Sequence, residues 1–353
     1  MRITKISSSA ASLITLSSVV NGLNILITTL KNDDGFGTGN IREMYKAVKA
    51  YGHNVFIVAP ATDQSGKGGS LTFATTANLT EDTEFGLVKA GAPSVGHDVE
   101  DDHIWYYAGS PVAAAAVGID YVLPKYNVSK PDLVMSGPNY GDNVGGFAFT
   151  SSGTIGATYY AIGRGIPAIA FSAENSDETS YKEVNATTSV GLKNPQTIVG
   201  ELSAAFAQNL ILRMKGRRLL PLGYGINVNM PTITSTNSDE CIAPEFFHTR
   251  ITGDAWSLGI SYNATTGLMQ ETLVDPAAAL DTCINGDCSL PSETELTSSG
   301  CKSAVSIFSI DYDAPDGISG SNLTSSIRAS FGSFVQYISS AEAATSVVRT
   351  MDN

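Results

Sequence analysis

The stretch Asn24-Ile-Leu-Ile-Thr-Thr-Leu-Lys-Asn-Asp-Asp-Gly35 decides the fold class of this chain. Its apolar, β-branched start predicts a buried strand from Asn24 to about Thr29. Asp33 and Asp34 follow, and adjacent carboxylates beside a buried strand are unfavourable unless a cation lies between them. The stretch therefore predicts either a divalent-cation site, since hard cations prefer oxygen ligands, or an ordinary polar turn.

A strand–helix–strand unit begins with this stretch. Apolar residues at helical spacing predict a helix over 40–51, and the run Asn54-Val-Phe-Ile-Val-Ala-Pro60 predicts a second buried strand. Such βαβ units are almost always right-handed and build parallel sheets. Similar patterns predict strands over 131–136, 168–171, 226–229 and 304–311, and helices over 112–121, 154–164 and 195–218. The alternation indicates the α/β class.

The composition bounds the function. The chain has 353 residues, of which only 16% are charged, and a net charge of −13. A binder of nucleic-acid polymers needs a basic surface, so this class is excluded. An acidic, ordinary globular composition fits a soluble protein.

Several features predict secretion. Residues 1–22 resemble a signal peptide, with Arg2 and Lys5 before an apolar run that is too short to span a membrane; a disordered leader is the alternative. Four cysteines in the C-terminal third favour two disulfides in any of three pairings, while their spacing disfavours zinc. We expect a secreted protein that does not bind membranes, with the cell wall or vacuole as further destinations. Asn-X-Ser/Thr acceptors for glycosylation occur at Asn78, Asn127, Asn185, Asn263 and Asn322.

Polar loops follow three of the predicted parallel strands. They contain Asp33 and Asp34, then Ser65, and then Asn139. The carboxyl ends of parallel strands meet at one edge of a sheet, where ligands bind. Carboxylate, hydroxyl and amide oxygens converging there predict a site for Mg²⁺, Mn²⁺ or Ca²⁺ rather than zinc.

An anion site is predicted beside these loops. Ser152, Gly153 and Thr154 stand at the start of the predicted 154–164 helix, where backbone N–H groups and hydroxyls attract phosphate. Ordinary capping of the helix is the alternative. A hard cation beside a phosphate pocket indicates metal-assisted phosphate hydrolysis.

Seven ordered motifs give the chain a family resemblance. They are Asn32-Asp-Asp-Gly35, Ala59-Pro60 with Gln64-Ser-Gly66, Gly109-Ser-Pro111, Ser136-Gly-Pro-Asn139, Ser152-Gly-Thr154, Gly165-Ile-Pro-Ala-Ile-Ala170 and Asn227-Val-Asn229. Together they resemble SurE-like phosphatases, in particular the secreted fungal acid phosphatases.

The resemblance implies a Rossmann-like, mostly parallel sheet and metal-dependent hydrolysis of phosphomonoesters, commonly nucleoside monophosphates. It implies Mg²⁺ or Mn²⁺ as cofactor and a homodimer or homotetramer. It also implies a C-terminal hairpin and helix that exchange between subunits. By motif position, the implied metal ligands are Asp33, Asp34, Ser65 and Asn139. Asn143, Ser152, Gly153 and Thr154 match the family's phosphate-binding residues, and Asn32 joins Asp33 and Asp34 as a catalytic residue.

The composition changes near Pro231, where strands and helices stop alternating and cysteines appear. We therefore expect a catalytic core over 23–230 and a C-terminal extension over 231–353. Within the extension we expect a hairpin in 245–270 and helices in 326–348.

One departure from the family pattern opens an alternative function. About three extra residues, near 29–31, stand between the first strand and the acidic turn. If they displace the carboxylates, the chain is an impaired, secreted nucleotide- or phosphate-binding protein, because misplacement by about 1 Å costs about a hundredfold in rate. A serine hydrolase using Ser65 or Ser152 is disfavoured, since neither serine lies in a Gly-x-Ser-x-Gly elbow.

Overall fold

The structure, a computed structural model, describes residues 22–28, 35–64, 66–175, 178–235, 241–253, 257–274, 283 and 285–313. The chain divides into two units. The first comprises residues 1–282 and 290–310, and the second comprises residues 283–289 and 311–353. A disulfide joins Cys283 to Cys288 in the second unit.

The described part of the first unit is built on a nine-stranded sheet in the order β3-β4-β2-β1-β5-β6-β7-β11-β8. The strands are β1 (Asn24–Thr28), β2 (Asn54–Pro60), β3 (Val95–His97), β4 (Ile104–Tyr107), β5 (Leu133–Tyr140), β6 (Ala168–Ala173), β7 (Tyr224–Met230), β8 (Glu245–Thr249), β9 (Ser257–Asn263), β10 (Leu268–Val274) and β11 (Lys302–Ser309). Neighbouring strands from β4 through β7 run parallel, as do β11 and β8, whereas β3 and β11 are antiparallel to β4 and β7. The predicted α/β fold with a mostly parallel sheet is confirmed.

Helices cover both faces of the sheet. They are α1 (Gly39–Ala50), α2 (Pro111–Val117), α3 (Leu123–Lys125), α4 (Gly145–Ser151), α5 (Gly153–Gly163), α6 (Pro195–Met214) and α7 (Glu293–Thr297). Alternation along β1 sends Ile25 and Ile27 into one buried core, which includes residues of α1 and α6, and Leu26 into another, which includes residues of α5. The sheet is buried on both faces, as parallel sheets are.

Two helices differ from their predicted extents. Ser110 accepts a hydrogen bond from the Ala113 amide and Pro111 occupies the first turn, so α2 begins as its start signals predict. It gives way to a π-helical segment, Gly118–Val122, before the predicted end at 121. Helix α6 ends at Met214 rather than 218, because Lys215 adopts a left-handed conformation with φ 49°.

The third buried strand is longer than predicted. β5 extends to Tyr140 rather than ending at 136, with a register shift between Ser136 and Asn139 where it pairs with β6. Gly137, with φ 108°, lies in this irregularity, and a Cβ there would clash with the carbonyl oxygen of Phe171. The predicted loop residue Asn139 therefore lies within a strand.

The segment beyond Pro231 contributes to the main sheet. β8 and β11 extend it, while β9 and β10 form a hairpin. This hairpin spans 257–274 rather than the expected 245–270, because residues 245–249 form β8 and pair with β11. A second disulfide joins Cys241 to Cys301. The core boundary at 230 stays a prediction, and residues 1–21 and 326–348 lie outside the described residues. In the part of the chain that is described, no helix is long and apolar enough to cross a membrane.

Candidate functional site

The sheet has a topological switch point between β1 and β5. From β1 the strand order proceeds to β2 and β4, and from β5 it proceeds the other way to β6 and β7. Ligands bind outside the carboxyl ends of the strands at such a point. Thr28 and Ser136 are register partners there, and their buried hydroxyls have no hydrogen-bond partner. Unpaired buried hydroxyls are unfavourable, so this edge has the chemistry of a polar-ligand site.

The acidic turn itself is not described. Asn32, Asp33 and Asp34 lie outside the described residues, as does Ser65. Before it, β1 ends at Thr28, and after it the Phe36 amide donates to the carbonyl oxygen of Pro60 at the end of β2 (3.2 Å). These described flanking residues, Thr28 and Phe36, lie at the carboxyl edge of the sheet.

Glu84 forms a hydrogen bond with Gly35, the first described residue after this turn. Its Oε2 accepts a hydrogen bond from the Gly35 amide, and its own amide donates to the carbonyl oxygen of Ala61 (3.2 Å). Glu84 belongs to a 3-10 turn inside the polar excursion 78–102, where the sequence shows no periodicity that would single it out. This carboxylate near the acidic turn was missed by the sequence predictions.

Asn139 lies fully buried near the end of β5. Its Nδ2 donates to the carbonyl oxygens of Tyr140 (2.8 Å) and Gly141. This orientation commits the amide nitrogen to the backbone, so Oδ1 is the side-chain atom suited to a hard cation.

A buried polar network fixes Asn143. Its amide donates to Asn229 Oδ1 (2.7 Å), its Nδ2 donates to Ser172 Oγ (2.7 Å), and its carbonyl oxygen accepts from Asn227 Nδ2 (3.1 Å). Its Oδ1 is buried without a partner. If the side-chain amide of Asn143 is rotated by 180°, its Oδ1 accepts a hydrogen bond from the Ser172 hydroxyl. Its Nδ2 then takes the place of the unpaired oxygen and offers an N–H donor, which suits an anion.

The junction of α4 and α5 supplies two more unpaired groups. Ser152 is extended between the helices, and Gly153 begins α5. The hydroxyls of Ser152 and Thr154 are buried without a hydrogen-bond partner, and Ser152 makes no side-chain cap to α5. The ordinary capping alternative is therefore not realised, and both hydroxyls lie beside the backbone N–H groups of a helix N-terminus, where anions bind.

The loop after β2 rests on this junction. The Gly68 amide donates to the carbonyl oxygen of Ser151 (2.9 Å). Gly156, one turn into α5, faces the carbonyl oxygen of Gly68 so closely that a Cβ there would clash with it. The residues just after Ser65 thus lie against the predicted phosphate-binding segment.

We expect Gly156→Ala to lower kcat/KM for a phosphomonoester at least about tenfold. The added methyl must displace the 66–70 loop, and a displacement of about 1 Å at a site can cost about a hundredfold in rate. Gly146→Ala on α4 is the matched control, because nothing lies within 4 Å of its Cβ position. Steady-state kinetics of both purified variants check this; equal kinetics would contradict the close packing of loop and helix.

A buried carboxyl group lies next to the turn that contains Asn143 and Gly145. Glu293, on α7, is fully buried, and its Oε1 accepts from Asn227 Nδ2 (2.9 Å) while its Oε2 accepts from the Gly145 amide (3.4 Å). Burial raises its pKa to about 8. Its sequence neighbourhood is rich in Ser and Thr and gave no functional signal.

The described residues contain no group of three or more His, Cys, Asp or Glu side chains that could hold a metal ion. The predicted ligands include hydroxyl and amide oxygens as well as the two aspartates, and only Asn139 among them lies in a described segment. The candidate metal ligands therefore remain predictions from the sequence.

Comparisons with known proteins agree on one family. The model of the family described as survival protein SurE matches residues 25–256. An acid phosphatase of Yarrowia lipolytica is 41% identical over 304 residues, which cover 85% of this chain and 83% of that protein. A 5'-nucleotidase SurE of Methanocorpusculum labreanum is 30% identical over 203 residues, covering 57% of this chain and 66% of that protein.

The chain therefore belongs to the SurE family. Both named relatives are phosphoric monoester hydrolases, so the predicted membership of a phosphatase family is confirmed. The crystal structure of the SurE protein from Aquifex aeolicus has the same fold, with a TM-score of 0.53 and 21% identity over 82% of this chain and 94% of that one.

Proposed function

We propose that this chain is a metal-dependent phosphomonoesterase that acts on nucleoside monophosphates or similar small phosphate esters. The observation that carries the proposal is the set of buried, unpaired oxygen atoms of Ser152 and Thr154 at the N-terminus of α5 and of Asn143 in the turn after β5. An arrangement that leaves three polar side chains unsatisfied is stabilised by a polar ligand. The two named relatives, an acid phosphatase and a 5'-nucleotidase, support a phosphomonoester as that ligand.

The chain's own groups bind and orient the phosphate. The hydroxyls of Ser152 and Thr154 donate to its oxygens together with the first backbone N–H groups of α5, starting from Gly153. Asn143 donates a further hydrogen bond through its amide. These donors lie on a strand end and a helix start that are packed into the core, so they need little reorganisation as charge develops on the phosphoryl oxygens.

The donors at this edge fit a hard cation. Asp33, Asp34, Ser65 and Asn139 would hold it. The unpaired hydroxyls of Thr28, at the end of β1, and of its register partner Ser136, within β5, make the described part of this region polar. When bound, Mg²⁺ or Mn²⁺ polarises a phosphoryl oxygen and lowers the pKa of a coordinated water. Asp33 is the candidate for a further role as general base or nucleophile, and Asn32 lies next to it in the turn.

We expect hydrolysis of p-nitrophenyl phosphate and of nucleoside monophosphates to fall at least about a hundredfold in EDTA and to return on adding Mg²⁺ or Mn²⁺. Loss of the cation removes both the charge that balances the phosphate and the activated water. Phosphate release by the secreted protein, measured from acid to neutral pH, checks this. EDTA-resistant hydrolysis would contradict metal dependence.

A phosphate-binding protein without catalysis is the second candidate. It rests on the extra residues 29–31, which separate Thr28 from the acidic turn. A folded protein that binds inorganic phosphate but releases none from esters would favour it. Deleting residues 29–31 and repeating the assay then decides whether the insertion is the cause.

We further propose secretion. Two disulfides fit an oxidising compartment. The acceptor residues Asn78, Asn127 and Asn185 are exposed, as glycosylation requires. Assembly as a homodimer or homotetramer stays a prediction.

A further inference from the structure

Glu293 is the one carboxyl group in the described residues that is fully buried. It lies about 150 positions along the chain from Gly145, whose amide donates to its Oε2, and 66 positions from Asn227, whose Nδ2 donates to its Oε1. Asn227 Nδ2 also donates to the carbonyl oxygen of Asn143 (3.1 Å). The Glu293 carboxyl therefore contacts the turn that carries Asn143 directly at Gly145 and indirectly, through the Asn227 side chain, at Asn143.

The side chain of Glu293 is not needed to hold its own helix. The Glu293 amide donates to the carbonyl oxygen of Arg250 (3.0 Å), Ser292 caps α7 by accepting from the Glu295 amide (3.0 Å), and Thr297 Oγ1 donates to the Glu293 carbonyl oxygen (3.0 Å). The backbone of α7 is thus anchored without the carboxyl group. Burying a carboxyl group is unfavourable compared with an apolar side chain of similar size, so its retention points to a role in the turn.

We propose that Glu293 is a positioning residue of the phosphate site. It holds the turn 143–145 through the Asn227 side chain and the Gly145 backbone amide, so that the side-chain amide of Asn143 stays aligned with the bound phosphate. The identity of the ligand rests on the proposed function. The positioning itself rests only on the contacts of Glu293.

We expect the Glu293 carboxyl group to be protonated in the folded protein. Burial is the main cause that raises the pKa of Glu293 from 4.5 to about 8, and the nearby charge of Asp142 raises it further. Other charged groups on the packed elements lie elsewhere: His248 and Glu295 are exposed, and the Arg250 guanidinium donates to backbone carbonyl oxygens. Below pH 8 the carboxyl is neutral and offers one donor and one acceptor. Ser306, which hydrogen-bonds to Glu293 and to Thr249 (2.8 Å), can accept from that donor.

Glutamine has the same shape as a neutral glutamate. Its Oε1 can still accept from Asn227 Nδ2 and its Nε2 can donate to Ser306, and it loses only the longer (3.4 Å) contact with the Gly145 amide. We therefore expect Glu293→Gln to keep KM for p-nitrophenyl phosphate within about threefold of wild type at pH 5, whereas Glu293→Ala raises KM or the inhibition constant of inorganic phosphate at least about tenfold. Glu295→Ala, on the same helix but exposed, is the matched control and is expected to match wild type.

Hydrogen exchange tests the turn without relying on activity. We expect Glu293→Ala to accelerate exchange at the backbone amides of Asn143 and Gly145 at least about tenfold, and Glu293→Gln to leave exchange at the Asn143 backbone amide within about threefold. Unchanged exchange in Glu293→Ala would overturn the proposal. If wild type neither hydrolyses esters nor binds inorganic phosphate, the proposed function fails, while the exchange result still decides whether Glu293 holds the turn.

If the Glu293→Ala variant does not fold, the pH dependence of the unfolding equilibrium provides the test. Between pH 4.5 and about 8 the folded state keeps a proton that the unfolded state releases, so rising pH favours unfolding. Over this window the unfolding equilibrium constant of wild type, relative to Glu293→Gln, is expected to rise by up to about tenfold per pH unit. A flat ratio means that the carboxyl is ionised at neutral pH; the proposal in its neutral-acid form is then wrong.

Discussion

Replacing Asp33 by asparagine is expected to lower kcat for p-nitrophenyl phosphate by about a hundredfold to a thousandfold, with a much smaller change in the free energy of unfolding. The asparagine keeps the shape of the side chain but removes the negative charge that a divalent cation needs and the basic oxygen that a reacting water needs. Removal of one electrostatic contact to a developing charge typically costs this much in kcat. Metal affinity, measured by titration with Mn²⁺, should fall in parallel.

Asp102→Asn is the matched control for this variant. Asp102 is exposed and precedes β4, so it lies at the amino end of a parallel strand, opposite the edge where Thr28 and Phe36 flank the acidic turn. The same chemical change there is expected to leave kcat within about twofold. Wild-type turnover in Asp33→Asn would exclude Asp33 as a metal ligand or base and would sink the proposed mechanism.

Removing the disulfide between Cys241 and Cys301 is expected to give the largest loss of stability. The cysteines are 60 positions apart in the sequence. Closing a loop of that length lowers the conformational entropy of the unfolded chain and so raises its free energy by about 4 kcal/mol. A double serine variant should therefore unfold at a clearly lower denaturant concentration.

The second disulfide provides the comparison. Cys283 and Cys288 are only five positions apart, so the same argument gives about 2 kcal/mol for their double serine variant. Urea unfolding followed by tryptophan fluorescence measures both. If the two variants lost equal stability, loop closure would not be the source of the stabilisation.

The sequence predicted those strands that are buried on both faces, because such strands read as continuous apolar runs. β2 occupies its predicted span, and β1 ends one residue earlier. Errors arose where a local conformation overrides the pattern. The helix predicted over 195–218 was extended to Arg217 and Arg218 because basic residues suit the negative end of a helix, but the left-handed conformation of Lys215 ends α6 at Met214. The irregular continuation of β5 through Gly137 depends on pairing with β6, which periodicity does not report.

The sequence predicted only some of the residues that form the candidate site. Hydroxyls before a helix and polar residues after parallel strands are local signals, so Ser152, Thr154 and Asn139 were singled out from the sequence alone. Glu84 and Glu293 approach this region from segments without periodic pattern, at long sequence separation. Their contacts exist only after the sheet has formed, and a single sequence contains no signal for them.

The position of β11 has a consequence for synthesis of the protein. β11 lies between β7 and β8, although β8 precedes it in the chain by about 50 residues. Among the described strands, β7 has no neighbour on one side and β8 has none at all until residues 302–309 emerge from the ribosome. The nascent protein therefore has to protect that edge for the time needed to make about 70 residues beyond β7. A chain that terminates before β11 should aggregate through β7 even though every strand from β1 to β7 is present.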